Sequence, residues 1–277
     1  MTVEARSPAP MLPLHVFRNR SFTGINLLTL IHYIALGSTF FLVTLNFQQA
    51  QNYTAFEAGL ALLPIPILLF LMASPVGRLS DRVDSRLLIG AGVFLNCVGF
   101  WMYSLPGIDT HYWTSFFPAQ VVFSVGLGLI IVPLTSVAIG ALESRYSGVA
   151  SGFNNAVSRV AQMLAVAIFG IVMLSGFRAG LAARTATLDL SADARAQLLS
   201  ESSNLGATQP PDGLSAATAQ AVQTAIRLAF VDGFRLVMWI SIFIALVGLT
   251  LWLVIVRRTP QQVSQPQPAA ASAPGLE

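Results

Sequence analysis

P-V-G-R-L-S-D-R-V-D-S-R, from Pro75 to Arg86, is the stretch on which the reading of this chain turns. Five of its twelve residues are charged. An uncharged apolar run, Ala58 to Val76, lies before it, and another, Leu87 to Leu105, follows it. A short charged turn between two such runs reads as the loop of a helical membrane hairpin. The loop then fixes which end of every other span faces the cytoplasm.

Composition points the same way. Of 277 residues, 55% are hydrophobic and 10% charged. Soluble domains carry roughly 25% charged residues, so most of this chain is not solvated by water. All 15 basic residues are Arg, and they cluster beside apolar runs. With a net charge of only +3, that placement speaks for membrane orientation and against nucleic-acid binding. The single Cys97 lies inside an apolar run and has no internal disulfide partner. Met1 to Pro13 carries Glu4, Arg6 and three prolines before any long apolar run, and does not read as a secretory signal.

A hydrocarbon core of about 30 Å is crossed by about 20 predominantly apolar residues in a helix. Six segments qualify: 22–47, 58–76, 87–105, 113–142, 148–174 and 236–256. The fourth is long enough to tilt or protrude. The fifth contains one charge, Arg159. Residues 1–21 precede the first span, and 259–277, rich in Pro, Gln, Ala and Ser, read as a disordered tail.

Arg placement sets the expected orientation. Arg18 and Arg20 precede span one, Arg78, Arg82 and Arg86 lie between spans two and three, Arg145 between four and five, and Arg257 and Arg258 after six. The intervening short loops, Gln48 to Glu57 and Pro106 to Tyr112, hold no Arg. Both termini are therefore expected in the cytoplasm, with the chain multi-pass in the cell (inner) membrane. The 175–235 connection carries Arg178, Arg184, Arg195 and Arg227, but long loops translocate largely regardless of charge. Within it, Ser191 is placed to cap a short helix, and Ala216 to Phe230 favours helix. Gln209-Pro210-Pro211-Asp212-Gly213 breaks helix between them. It reads as an extracytoplasmic helical hairpin or flap.

The opening loop has two readings from its residues alone. It is a solvated turn obeying charge bias, or a built device. In the second reading Gly77 permits a close helix approach, and Asp81 accepts from the next helix's free N–H groups or pairs with Arg82 or Arg86. Its pattern, G-x-L-S-D-R-x-x-x-R, closely resembles the loop motif of the major facilitator superfamily. Gly77, Leu79, Asp81, Arg82 and Arg86 match it, while Asp84 and Ser85 stand where that motif has Gly and Arg. F-R-N-R-S-F (Phe17 to Phe22), Y-T-A-F-E-A-G-L-A-L-L-P (Tyr53 to Pro64) and S-G-V-A-S-G-F-N-N-A-V-S-R (Ser147 to Arg159) are similar to the fourteen-span drug:proton antiporter branch of that superfamily. They follow the order of its last six spans. The resemblance implies the C-terminal half of such a transporter, without the first eight spans.

Span five offers the clearest candidate site. Ser151, Asn155, Ser158 and Gln162 recur at helical spacing as a polar stripe, with Arg159 beside it. Arg159 stands eleven residues beyond Gly148, roughly 16 Å along the helix. A charge at that depth marks a cavity, a pairing or a pathway. It is read as a cavity or gate residue, or as a group that reaches the interface or ties helices together. No carboxylate lies within any of the six segments. A partner for Arg159 is accordingly expected in a missing half, a second copy or an anionic ligand. In span one, Asn26, Tyr33, Gly37 and Phe40 fall near one face with His32 adjacent, as a packing group or a proton relay. Gly126, Gly128 and Pro133 permit close contact and a bend in span four. Pro64 and Pro66 are placed to break span two.

No phosphate loop, metal-spaced His/Cys set or nucleophile–base arrangement is present, so no enzyme, metal or cofactor is expected. The expected fold is all-α and polytopic: six transmembrane helices in two three-helix units, 22–105 and 113–256, as half of a major facilitator type transporter. The resemblance implies efflux of hydrophobic or cationic small molecules by proton antiport with alternating access. The implied partners are the bilayer, the substrate, protons, and a missing N-terminal half or second copy. A non-transporting membrane subunit or remnant is the competing reading.

Overall fold

The computed structural model describes residues 19–37, 39–140 and 146–255. Residues 1–18 of the N-terminal segment, the 259–277 tail, and Glu143, Arg145, Arg257 and Arg258 lie outside them. The described residues fold into nine α-helices: α1 (Arg20–Gly37), α2 (Thr39–Gln49), α3 (Ala55–Leu62), α4 (Pro64–Ser80), α5 (Ser85–Ser104), α6 (Tyr112–Gly140), α7 (Ser147–Thr185), α8 (Ala192–Ser200) and α9 (Ala216–Ile255). Six stretches are long and apolar enough to cross a membrane: α1 with α2, α3 with α4, α5, α6, α7 and α9. The chain is an integral membrane protein by this measure.

The helix starts are written locally. Asn19 opens α1 by accepting the Phe22 amide through its side chain (3.2 Å). Thr54 and Glu57 form a reciprocal capping box at α3 (3.2 and 2.8 Å). Pro64 lacks an N–H and divides span two, leaving Leu63 between α3 and α4. Ser191 caps α8 through the Ala194 amide (3.1 Å).

The two three-helix sets interdigitate. α5 packs on α6 and α9, α4 on α6, and α1 on α7 and α9. Neither set closes a core of its own. In lipid the tails are as apolar as Leu, so close backbone approach rather than hydrophobic burial joins helices. Glycines supply it. A Cβ on Gly126 would stand 2.7 Å from the Gly92 carbonyl oxygen, and one on Gly99 would meet Phe123 at 2.9 Å. Across α7 and α9, a Cβ on Gly176 would lie 2.8 Å from the Gly233 Cα. Asn96 crosses the α5–α6 seam to donate to the Phe123 carbonyl (2.8 Å).

α7 and α9 have 39 and 40 residues, each about 60 Å long. Each is therefore nearly twice as long as the hydrocarbon core is thick. The helix of span five runs eleven residues past Leu174, and that of span six begins twenty before Leu236. The 175–235 connection is thus largely helical. Its centre is α8, a 3-10 turn at Glu201–Ala207 and a break through Pro210 and Pro211. Leu198 and Ser202 are buried as this flap folds over the bundle's end.

The arginines here are ties. Arg227 donates to the Ala50 carbonyl (2.6 Å) and pairs with Asp109. Arg235 donates to the carbonyls of Ser104, Leu105 and Pro106 at the end of α5 (2.8, 3.1 and 3.3 Å). Arg184 pairs with Asp232 (2.7 Å), Arg178 with Ser202 (3.0 Å), and Arg195 with the carbonyls of Thr185 and Leu188 (both 3.3 Å). They satisfy carbonyls and acids that no helix ladder reaches.

Gly126→Leu should lower the detergent thermal midpoint sharply, with overpacking costing about 1–3 kcal/mol. Gly170→Leu, where a Cβ meets nothing within 4 Å, should leave it within about 0.5 kcal/mol of the parent. Equal midpoints for the two variants would refute the seam.

Candidate functional site

The middle of α7 carries polar side chains in two directions. Asn154 and Ser158, four residues apart, are buried against α1. The Thr29 hydroxyl donates to Asn154 Oδ1 (2.9 Å), and Ser158 donates to its own helix at the Asn154 carbonyl (2.9 Å). Tyr33 of α1 interacts with the Ser158 hydroxyl. A hundred degrees around the helix, Asn155, Arg159 and Gln162 are exposed, with Ser151 half-buried between the directions. The expected stripe is therefore split. Ser158 belongs to the α1 contact, while Asn155, Arg159 and Gln162 form an open row. Asn154, absent from the sequence candidates, is the residue that ties α7 to α1. Its signal was the i, i+4 spacing to Ser158.

The depth of Arg159 follows from helix register. Thr29 meets Asn154, and a Cβ on Gly37 would stand 3.0 Å from the Gln162 Cα. Both pairs are 125 residues apart, so α1 and α7 run parallel in step. Arg159 is level with Ile34, near the middle of the Phe22–Gln49 stretch. It has no hydrogen-bond or ion-pair partner among the described residues. Val160, Met163 and Val166 lie exposed around it.

Span one does not present the expected face. Asn26 is buried and donates to the Phe22 carbonyl (2.8 Å). Gly37 is covered by Ala165 and Gln162 of α7. His32 is 2% exposed, neither ring nitrogen has a partner among the described residues, and Tyr33 meets its ring edge-on at 6.4 Å. Asn26 and His32 sit inside the bundle because α1 is surrounded by α7, α9 and α6. Tyr33 is half-buried at the seam. Phe40 lies elsewhere, in an apolar cleft of about 370 Å³ with Gly59, Leu62, Leu63, Ile65, Pro66 and Leu69. That cleft opens where Pro64 divides span two.

The Pro75–Arg86 loop also differs from its expected wiring. A Cβ on Gly77 meets nothing within 4 Å, so no helix approaches there. Asp81 ends α4, is exposed and accepts nothing from the next helix. Asp84 does that work, accepting the Arg86 amide at the start of α5 (2.9 Å). Asp84 stands two positions before the amide it caps, whereas Asp81 closes the preceding helix. Arg86 donates to the Leu253 carbonyl near the end of α9 (2.8 Å), joining the loop to span six. Leu79 and Arg82 are exposed. Among the described residues no cluster of three His, Cys, Asp or Glu is placed to hold a metal.

Comparison with known proteins adds identity to this geometry. Residues 3–182 match the Major Facilitator Superfamily. The methylenomycin A resistance protein of Streptomyces coelicolor is 31% identical over 174 residues, 62% of this chain and 36% of that protein. The tetracenomycin C resistance and export protein of Streptomyces glaucescens is 24% identical over 98% of this chain and 51% of its own length. A probable multidrug resistance protein of Escherichia coli, EmrY, is 28% identical over 55% of this chain and 30% of its own length. The chain spans about half, or less, of the length of these relatives.

Asp84→Ala should cost about 1 kcal/mol through the lost cap, and Asp81→Ala a few tenths at most, as an exposed surface change. Denaturant or thermal unfolding of the two variants decides between the loop's two aspartates. A larger loss at Asp81 would restore the expected wiring.

Proposed function

Because the chain belongs to the Major Facilitator Superfamily, we propose that it is one half of a membrane exporter that moves hydrophobic small molecules by alternating access. It corresponds to the C-terminal six spans of the fourteen-span drug:proton antiporter branch. The complementary half is its partner, and proton entry drives the exchange. The observation that carries this reading is Arg159, exposed and unpaired at mid-depth among the described residues. A guanidinium at that level does not face hydrocarbon, so its side of α7 faces water, substrate or protein. The printed names of the relatives, resistance and export proteins, support the direction of transport. Of the two substrate classes implied by the sequence resemblance, the hydrophobic one fits better, since Arg159 repels a free cation at this face. Proton coupling needs a titratable group reached from both sides. The described midplane offers no carboxylate, and His32 is sealed in the bundle, so the coupling acid resides in the complementary half.

We place the Pro75–Arg86 end in the cytoplasm of the cell (inner) membrane and the α8 flap outside, from the arginine asymmetry of the short loops. The second reading is a membrane subunit that transports nothing alone.

Cells expressing the chain with a complementary half should extrude a hydrophobic dye faster than cells expressing either half. Equal dye retention in all three would defeat the transporter reading, while efflux by the chain alone would remove the subunit reading. A cysteine placed at Asp81 in a Cys97→Ser background should resist an impermeant thiol reagent in intact cells and react after permeabilisation. Labelling of the intact cells would reverse the orientation.

A further inference from the structure

We infer that the open row on α7 is a recognition site for an acidic group, and that the molecules this chain binds are apolar bodies bearing a carboxylate. The inference rests on the exporter reading and specifies its substrate. The row is Asn155, Arg159 and Gln162, at i, i+4 and i+7, exposed along one face and spanning about 10 Å of helix. It offers amide and guanidinium donors in a line. The guanidinium is a planar fork that meets a carboxylate with two parallel hydrogen bonds. Among the described residues Arg159 makes no hydrogen bond and no ion pair, while Arg178, Arg184, Arg195, Arg227 and Arg235 each hold a carboxylate, a hydroxyl or a backbone carbonyl. Among those residues Arg78 and Arg82 are untied as well, but they stand exposed at the loop end of the bundle; a cation left free at mid-depth marks a partner from outside this fold.

The charge of that partner follows from depth. Arg159 is level with the middle of span one, whereas the acids of the described spans and flap, such as Glu57, Asp232 and Asp81, stand toward the ends. An acid entering here removes an isolated charge from a low-dielectric layer, where attraction is stronger than at a wet surface. The neighbours fix the rest of the ligand. Val160 and Met163 present apolar surface along one side of the row and Val166 continues it one turn on, suited to an aromatic or aliphatic body. A small hydrophilic anion gains nothing from them.

Three anions compete for this place: a substrate carboxylate, a carboxylate of a second protein chain, and a lipid phosphate. The full chain in phosphatidylcholine nanodiscs, titrated with dansyl-phenylalanine, its methyl ester and dansylcadaverine, separates them while holding the fluorophore constant. The acid should bind roughly tenfold or more tightly than the ester, the scale of a charge-assisted contact. Arg159→Gln should erase that preference, Arg159→Lys should retain part of it, and Arg159→Glu should shift preference to dansylcadaverine. Each variant should elute and melt like the parent. Equal affinity of acid and ester for the parent overturns the inference but leaves the exporter reading standing. Binding of none of the three probes overturns both. Loss of the acid preference on adding phosphatidylglycerol assigns the site to lipid and overturns it. So does a doubled mass that Arg159→Gln alone converts to monomer, which assigns the site to a partner's carboxylate.

Discussion

Two helices in lipid gain nothing from hiding apolar side chains from each other, and this constraint shapes the molecule. What remains is dispersion between surfaces that fit closely, helped by a few buried hydrogen bonds. The Gly92–Gly126 contact and the Gly176–Gly233 contact meet that condition, each leaving no room for a methyl group. Asn96 adds a polar link of 2.8 Å within the Gly92–Gly126 seam, and the Thr29–Asn154 pair adds one of 2.9 Å between α1 and α7. Because the first three spans pack mainly on the last three, loosening one seam disturbs both sets at once.

The arginines show how one residue type takes different work at different depths. Toward the flap, five of them satisfy helix-end carbonyls, a hydroxyl or a carboxylate, in places where water competes and each contact is worth little alone. At the opposite end Arg86 holds the Leu253 carbonyl. Arg159 stands between these layers and has none of these uses. Its distinction is positional. Arg178, nineteen residues farther along the same helix, is one of the ties.

Apolar runs announce spans because the bilayer selects composition over a length of about 20 residues, and all six were legible at that level. Finer features were less so. The outer stretches of α7 and α9 look polar, since they are helices already outside hydrocarbon, and composition alone does not separate a wet helix from a loop. Asn154 and Asn155 are consecutive and chemically identical, yet a hundred degrees of helix rotation puts one in a seam and the other in the open. Only the phase of the helix against α1 decides between them. Asp81 and Asp84 present the same difficulty at the loop, where three residues separate a helix's last turn from the next helix's cap. His32 reads as exceptional in a list of residues, but its burial follows from three neighbouring helices that no single span reveals.

The paired glycines of α7 and α9 sit near the point where both helices leave the hydrocarbon layer. They act as a fulcrum. Two stiff rods of about 60 Å, fused there, have one arm among the spans and another beneath the flap, where Leu198 and Ser202 are enclosed. Any rocking of the arm among the spans would therefore carry the flap with it in the opposite sense.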